Sequence, residues 1–469
     1  MAREPETQVE IQLGHMCNNR CVFCVSGQRT ALREAFPLAP GPIRERIQAA
    51  YAAGNRKITL LGGEPTLQPA FLDIVRYCVA LGFEDIVIFT NGVKTARASF
   101  IDEVLATGGR FTWRISIQGA TKESHERTTK RPGSFGRILR SLGHLRERGQ
   151  RITVNMCVVQ SNYRDVDRFP ELLLPYGVEQ LHLDMVRPRD AGRRTEREFA
   201  QMIPRYSDLV EPLTRMVEGF PASFDVNVGN LPFCIAPELI HRIHHDGEKT
   251  FTIAIDRDDR LSLPWDKYED KRSDKFHPEA CDGCLMRSRC NGVFERYAQL
   301  YGTGELHALD EAALRRADPA FALLPVHLQA HLGRCDLASL GAVRIEESAD
   351  DELSLEALGL SLRLRPPQDT GIAATERFSL HLARPLRGNE EVRALLRIWS
   401  VLSDGLEVWH PPGPDAWRPL PRLAGRIHRL RRAAPFGALR WKRARLRDGS
   451  FVAEFSGASN TAVEFWLGW

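Results

Sequence analysis

From residue 8 to about 187 the chain alternates short β-rich runs with amphipathic stretches, and this alternation most constrains what it can fold into. Strands are predicted at VEIQLG (9–14), KITLLG (57–62), DIVIFT (85–90), FTWRIS (111–116), ITVNMCVV (152–159) and QLHLDM (180–185). Helix-like segments near 42–53, 68–82, 98–107, 134–148 and 165–174 separate them. Six strands alternating with helices imply parallel pairing through right-handed crossovers. The runs are mostly apolar, as expected of strands covered on both faces. A partial or full α/β barrel and an open doubly wound sheet both fit this spacing.

At 469 residues the chain has room for two or three domains. Its apolar share of 43% and charged share of 26% are those of a globular protein. No window approaches eighteen uninterrupted apolar residues, so no membrane association is expected, and the opening MAREPETQVE lacks a signal-peptide core. A cytoplasmic location follows as the expectation. Ten cysteines in such a reducing compartment point to metal ligation or buried thiols rather than disulfides. The net charge of +4 names no partner. After a helical segment at 196–219, interrupted by Pro204 and Pro212, residues 228–305 are poorer in helix signal, with a hairpin predicted at 251–264. Beyond about 310, punctuation such as PPGP (411–414) and late strands FVAEFSG and TAVEFWLGW suggest an α/β or α+β module. The expected division is 1–225, 226–308 and 309–469.

Directly after the first strand, HMCNNRCVFC (15–24) places Cys17, Cys21 and Cys24 within eight positions. Three thiols are one short of a closed tetrahedral site and odd for disulfide pairing. Thiolates suit an iron–sulfur cluster or zinc, and chance grouping is the third option. At the end of the second strand stands GGEPT (62–66), whose glycines can expose backbone to a ligand and whose carboxylate could hold an ammonium group. The third strand ends in TNG (90–92) and the fourth runs into SIQG (116–119), small polar residues at a strand rim.

In this order and on these strands, the motifs resemble the radical S-adenosylmethionine (SAM) superfamily over roughly residues 8–190. The resemblance implies a partial (β/α)6, TIM-like barrel. It implies that Cys17, Cys21 and Cys24 bind three irons of a 4Fe–4S cluster, the fourth iron taking the amino and carboxylate groups of SAM. Phe23 matches an aromatic position near the adenine, and Gly62, Gly63 and Glu64 match the segment contacting the SAM ammonium. Ser116 matches a residue near the ribose, with Asn162 or Asn155 assisting, and backbone around Met185–Val186 matches a contact to adenine. A reductant protein such as flavodoxin or ferredoxin is the implied partner. One departure stands out: where relatives with peptide substrates often carry an HDxxR arginine for the SAM carboxylate, HERTT puts Thr129, leaving Arg127, Lys130 or Arg131 as substitutes.

A second group, CDGCLMRSRC, supplies Cys281, Cys284 and Cys290, with Cys234 upstream. A structural zinc site is one reading. The arrangement also resembles the SPASM/twitch extension of radical SAM enzymes, which implies an auxiliary 4Fe–4S cluster in a small cysteine-rich domain. Trp265 and Phe294 stand where a full SPASM domain would have further cysteines, so one auxiliary cluster is expected. Between these cysteines HRIHHDGEK carries His241, His244, His245, Asp246 and Glu248, read as a solvated helix end or as a metal- or substrate-facing cluster. Asp266, Lys267 and Tyr268 are read in the same two ways. Cys78, Cys157 and Cys335 are read as buried thiols, Cys157 with the option of facing the active site.

Residues 418–447 hold eleven Arg or Lys, with Trp417 just before them and Phe436 and Trp441 interleaved. That composition fits nucleic-acid contact, a solvated helix face or an acidic partner. The functional expectation is a radical SAM enzyme that cleaves SAM to a 5′-deoxyadenosyl radical and takes hydrogen from a substrate. Peptide or protein modification ranks first, although no peptide-recognition domain is expected before the barrel. Small-molecule biosynthesis, RNA modification and a non-enzymatic metal-binding protein follow.

Overall fold

The computed structural model describes residues 7–188, 195–256, 259–319, 322–347, 353–365, 379–383, 389–402, 440–447, 450–456 and 462–467. The chain forms two compact units, residues 1–308 and 309–469.

In the first unit the alternation becomes β1 (Gln8–Gln12), α1 (Val25–Ala31), α2 (Pro40–Ala52), β2 (Lys57–Leu61), α3 (Phe71–Leu81), β3 (Asp85–Thr90), α4 (Ala98–Leu105), β4 (Phe111–Ser116), α5 (Lys122–Thr129), α6 (Ser134–Glu147), β5 (Arg151–Val158), α7 (Phe169–Leu173) and β6 (Gln180–Met185). There follow α8 (Glu196–Met202), α9 (Val210–Gly219), β7 (Asp225–Gly229), β8 (Ile243–His244), β9 (Thr250–Ile253), β10 (Trp265–Asp266), α10 (Lys267–Arg272), β11 (Lys275–Phe276), β12 (Val293–Phe294) and α11 (Glu295–Tyr301). The sheet order is β10-β9-β1-β2-β3-β4-β5-β6-β7-β8, parallel throughout except for β10 against β9. Strands β1 to β6 are neighbours in chain order with no reversal, which is how a barrel winds, whereas a doubly wound sheet reverses at a switch point. The partial-barrel alternative is therefore the one adopted, with β7, β8 and β9 continuing the parallel sheet at its two ends.

The predicted hairpin at 251–264 is only partly formed. An Ile255–Leu261 bridge and the β9–β10 pair are antiparallel, but β9 also lies parallel to β1 from Gln8↔Thr250 to Ile11↔Ile253. Backbone pairing to a distant strand is invisible to local periodicity. The HRIHH stretch ends in strand β8, so the helical spacing of His241 and His245 is not realised.

Burial along the strands alternates. In β4, Phe111, Trp113 and Ile115 are buried among the helices, while Arg114 and Ser116 occupy the other face. In β6, Leu181, Leu183 and Met185 are buried, and Gln180, His182 and Asp184 lie opposite. The helices answer with apolar stripes: Phe71, Ile74, Val75 and Cys78 on α3, and Ile138, Leu142 and Leu145 on α6. Each such side chain contributes about 1.5–3 kcal/mol of burial. The core thus lies between sheet and helices, and the inner face of the barrel is left for polar chemistry.

The second unit contains α12 (Glu311–Ala317), α13 (Leu324–Leu332), β13 (Val343–Glu347), β14 (Leu353–Ala357), β15 (Leu360–Arg365), β16 (Ser379–Leu382), α14 (Asn389–Leu402), β17 (Arg440–Arg447), β18 (Ser450–Ser456) and β19 (Ala462–Leu467). Its sheet runs β13-β14-β15-β16-β19-β18-β17, antiparallel except for β16 beside β19, an α+β arrangement. The two late strands are β18 and β19. Of the basic tract, 418–439 lies outside the described residues and 440–447 is β17. No helix among the described residues is long and apolar enough to cross a membrane.

Candidate active site

The cysteine loop leaves β1 and is held to the end of β2 by backbone. Leu13 N–H donates to Leu61 O (2.8 Å), Gly63 N–H to Gly14 O (2.7 Å) and Glu64 N–H to Met16 O (2.7 Å). A Cβ on Gly62, whose φ is +139°, would sit 2.6 Å from Gly14 O, and one on Gly63 would strike the carbonyls of His15 and Met16. The glycines of GGEP are thus required by the passage of the cysteine loop itself. Farther on, Arg20 and Val22 N–H groups donate to Thr129 and Thr128 carbonyls at the end of α5, and Cys24 is the N-cap residue of α1.

Glu64 has a different immediate task from the ammonium contact expected of its carboxylate. It is 2% exposed, and Oε1 accepts from Thr66 N (3.2 Å), Thr66 Oγ1 (2.6 Å) and Thr90 Oγ1 (2.6 Å), while Oε2 accepts from Asn91 N (2.7 Å). Burial holds its pKa above the ordinary carboxylate value despite these bonds. The carboxylate ties the ends of β2 and β3 together. Asn91 extends the tie, since its Nδ2 reaches Asn18 Oδ1 at 2.6 Å and Cys17 Sγ at 3.7 Å.

The three thiols sit within electrostatic reach of one another. Burial pushes Cys17 up to about 12, with Glu64 and Cys24 adding to the rise. Cys21 is raised well above the ordinary thiol value, first by burial and then by Cys24, Cys17 and Cys157. Thiols gathered out of water without a cation resist ionisation, and bound iron supplies the missing positive charge. Among the described residues no three His, Cys, Asp or Glu side chains converge on one point, as the ligands of a single ion do. A cubane takes each thiolate on a different iron, and three cysteine thiolates on one loop are donors of the kind it uses. Cys157, half-buried on the inner face of β5, lies within electrostatic reach of Cys21.

Other expected contacts divide. Ser116 is half-buried on the inner face, opposite Asn155 in register, and its Oγ accepts from Gln118 Nε2 at 2.6 Å. Asn162 is 1% exposed and spent within the protein: Oδ1 accepts from Val159 N, and Nδ2 donates to the Gln118 and Cys157 carbonyls. Its side chain braces the end of β5 rather than facing a nucleoside, leaving the half-buried Asn155 as the better placed of the two. Met185 and Val186 are buried at the end of β6, and Phe23 is half-buried between Cys21 and Cys24. Thr129, in the HDxxR arginine position, is buried against Ser134. Of its substitutes, Arg127 is occupied by Ser161 O, whereas Lys130 (φ +51°) lines a cavity of about 600 Å³ beside Arg20, Cys21, Val159 and Ser161.

Inside the barrel lies a second cavity of about 250 Å³, lined by Glu10, Arg114, His182, Asp184, His245 and Tyr268 among others. Its hub is Asp184, which bonds His182 Nε2 (2.8 Å) and Asn230 Nδ2 (2.9 Å) with Lys271 at 3.6 Å. Although burial opposes it, Lys271 and His182 hold Asp184 well below the ordinary carboxylate value. Gly229 leaves room for that carboxylate, and Asn230 adopts a left-handed φ of +66° to reach both Asp184 and Lys275. None of these residues was singled out from sequence except His244, His245, Asp246, Glu248, Lys267 and Tyr268. The available signal was parity: polar residues alternating with apolar ones at 112–116 and 180–184.

The second cysteine group also assembles. Cys234 is pushed up to about 11 by burial and by Cys290, Cys281 and Cys284, so all four thiols share one neighbourhood. His277 and Asn291 frame it, contacting Cys290 O and His245 O. Cys78 is buried on α3, and Cys335 contacts His331 after α13.

A parallel barrel carrying grouped thiols on its first strand–helix loop defines a cluster-bearing α/β-barrel class. Residues 11–173 match the model of the radical SAM superfamily, and the chain carries a radical SAM domain, which in that family works with a 4Fe–4S cluster and SAM. Curated relatives include a probable GTP 3′,8-cyclase of Metallosphaera sedula, 28% identical over 41% of this chain and 59% of that protein. An AdoMet-dependent heme synthase of Methanosarcina barkeri is 29% identical over 38% of this chain and 50% of that protein. The chain thus matches only about half to three-fifths of their lengths. Among solved structures, Streptococcus suis SuiB bound to S-adenosylmethionine is 15% identical, with 66% of this chain and 77% of that chain covered and a TM-score of 0.44. Native anSMEcpe with bound AdoMet is 14% identical, with 70% and 98% covered and a TM-score of 0.43.

Proposed function

We propose that the chain reductively cleaves SAM and takes hydrogen from a substrate held in the barrel lumen, and that this substrate belongs to a peptide or protein. The gathering of Cys17, Cys21 and Cys24 on a loop stapled to GGE carries the reading. These three thiolates would hold the SAM-binding cluster, and Cys234, Cys281, Cys284 and Cys290 an auxiliary one. When bound, cluster and SAM together supply a one-electron cleavage that yields the 5′-deoxyadenosyl radical. Around them the backbone of 62–64, Phe23, Ser116, Asn155 and the backbone at Met185 would orient SAM. The enclosed barrel would keep water from the reacting atoms. A reductant protein such as flavodoxin or ferredoxin in a cytoplasmic setting completes the proposal. The resemblance of 226–308 to the SPASM/twitch extension fits a peptide substrate and a small-molecule one alike. A small-molecule substrate is the second reading, favoured by a lumen cavity of only about 250 Å³.

Anaerobic reconstitution tests this. The expected result is about eight irons per chain if both cubanes are full, with reductant-dependent release of 5′-deoxyadenosine from SAM. Replacing Cys17, Cys21 and Cys24 by Ala should abolish that release. Release that survives the substitutions would sink the proposal.

A further inference from the structure

The lumen cavity is polar, and its charges are nearly all spoken for. Lys57 pairs with Glu248 at 2.7 Å, Lys267 with Glu10 at 2.7 Å, and Lys271 stands 3.6 Å from Asp184. At the rim Arg151 pairs with Glu179 and Asp246 with Arg272. Asp85, at the start of β3, accepts from Thr112 Oγ1 at 3.0 Å. Arg114 differs. Half-buried on the inner face of β4, it makes no hydrogen bond or ion pair among the described residues; it lies over the Phe89 ring, 5.7 Å from its centroid, and within electrostatic reach of Glu10. A guanidinium offers five N–H donors in a fork matched to carboxylate and phosphate, so an idle one inside an enclosed cavity is a vacant oxyanion seat.

Two further groups point the same way. Tyr268 lines the same cavity as Arg114, within electrostatic reach of its guanidinium, and no hydrogen bond of its hydroxyl is found among the described residues. Burial, Glu10 and Asp184 push that phenol up to about 12, so it stays a donor at neutral pH. Lys271 lies 5.9 Å over the Tyr268 ring and adds positive charge. Independently, His245 is 5% exposed with both ring nitrogens unbonded, and it lines the same cavity. A buried imidazole without partners is costly unless something that enters the cavity supplies them.

We propose that Arg114 and Tyr268 bind an oxyanion, carboxylate or phosphate, carried by the substrate, with His245 as a further contact. The inference rests on the reading that the lumen receives substrate. It narrows that substrate to one bearing an acidic group, whether an acidic or C-terminal peptide carboxylate or a phosphorylated small molecule. Glu10 does not bar the anion, because Lys267 already neutralises it.

The test is calorimetric titration of the full chain at low ionic strength, without reductant, using pyrophosphate and glutarate as probes. Omitting reductant separates this outcome from deoxyadenosine release, so failure of one reading leaves the other measurable. At least one probe should bind, and Arg114→Gln should weaken it at least about tenfold, Arg114→Lys less, and Tyr268→Phe about threefold. Preference for pyrophosphate marks a phosphorylated substrate, and preference for glutarate a carboxylate. Saturating SAM should leave probe binding in place. Three results would overturn the proposal: neither probe binds, Arg114→Gln and Tyr268→Phe both bind as the parent does, or SAM competes the probe away, which would give Arg114 to the SAM carboxylate.

Discussion

Replacing Glu64 by Gln isolates the tie beneath the cysteine loop. The amide oxygen can keep the three donors now on Oε1, namely Thr66 N, Thr66 Oγ1 and Thr90 Oγ1. The NH2 group then faces Asn91 N–H, which donates to Oε2 at 2.7 Å, so a donor meets a donor at a site 2% exposed. Losing one bond to a charged acceptor removes about 1.5–3 kcal/mol, and the orphaned N–H adds a penalty of similar order. Removing a buried carboxylate returns part of its desolvation penalty, which leaves a net loss of about 2 kcal/mol. For a unit of this size that corresponds to roughly 4 °C in Tm. Thermal unfolding followed by circular dichroism measures it. Because Asn91 also holds Asn18 and Cys17, the variant should load less iron on reconstitution. A Tm within about 1 °C of the parent, or above it, would refute the reasoning that this carboxylate is structural.

Three other outcomes are expected. Gly63→Ala drives a Cβ into the carbonyls of His15 and Met16, so it should cost about 3 kcal/mol and displace the cysteine loop, read as a lower Tm and weaker iron loading. Gly41→Ala, with nothing near its Cβ, should be close to neutral. His125 accepts from Gln118 N–H at 3.0 Å, and burial holds it at about 4. Its folded pKa lies below the unfolded value, so the stability it confers is present above about pH 6.5 and drains as pH falls toward 4. Urea titrations should show the gap between the parent and His125→Asn narrowing by about 2 kcal/mol from pH 6.5 to pH 5; parallel curves would contradict the assignment.

How far the sequence could be read differs between elements for physical reasons. The ranges 85–90, 111–116 and 180–185 were legible to the residue, because long apolar runs bounded by turns report local preference directly. Helix α5 was missed because KESHERTT has almost no apolar face, and what starts it is the Thr121–Ser124 capping box. Strand β9 exists as a barrel strand only because β1 lies beside it, 242 residues away at Gln8–Thr250. At the site, cysteine spacing and the order of motifs announced the cluster loop.

By itself the sequence determined the parallel alternation of strands and helices, through their periodicity, and the identity of the thiols, through short spacings within one loop, whereas the choice of a barrel over an open sheet came from the strand order. Those are local properties of neighbouring residues. Tertiary structure decided the rest: that Gly62 and Gly63 clear a path for residues 14–16, that Glu64 and Asn162 are braces, and that Cys157 lies within electrostatic reach of Cys21. It also decided that Arg114 and Tyr268, 154 positions apart in the numbering, face one cavity. Burial and partnership arise only when distant strands close around a common space, and no spacing rule encodes which polar group is left without a partner.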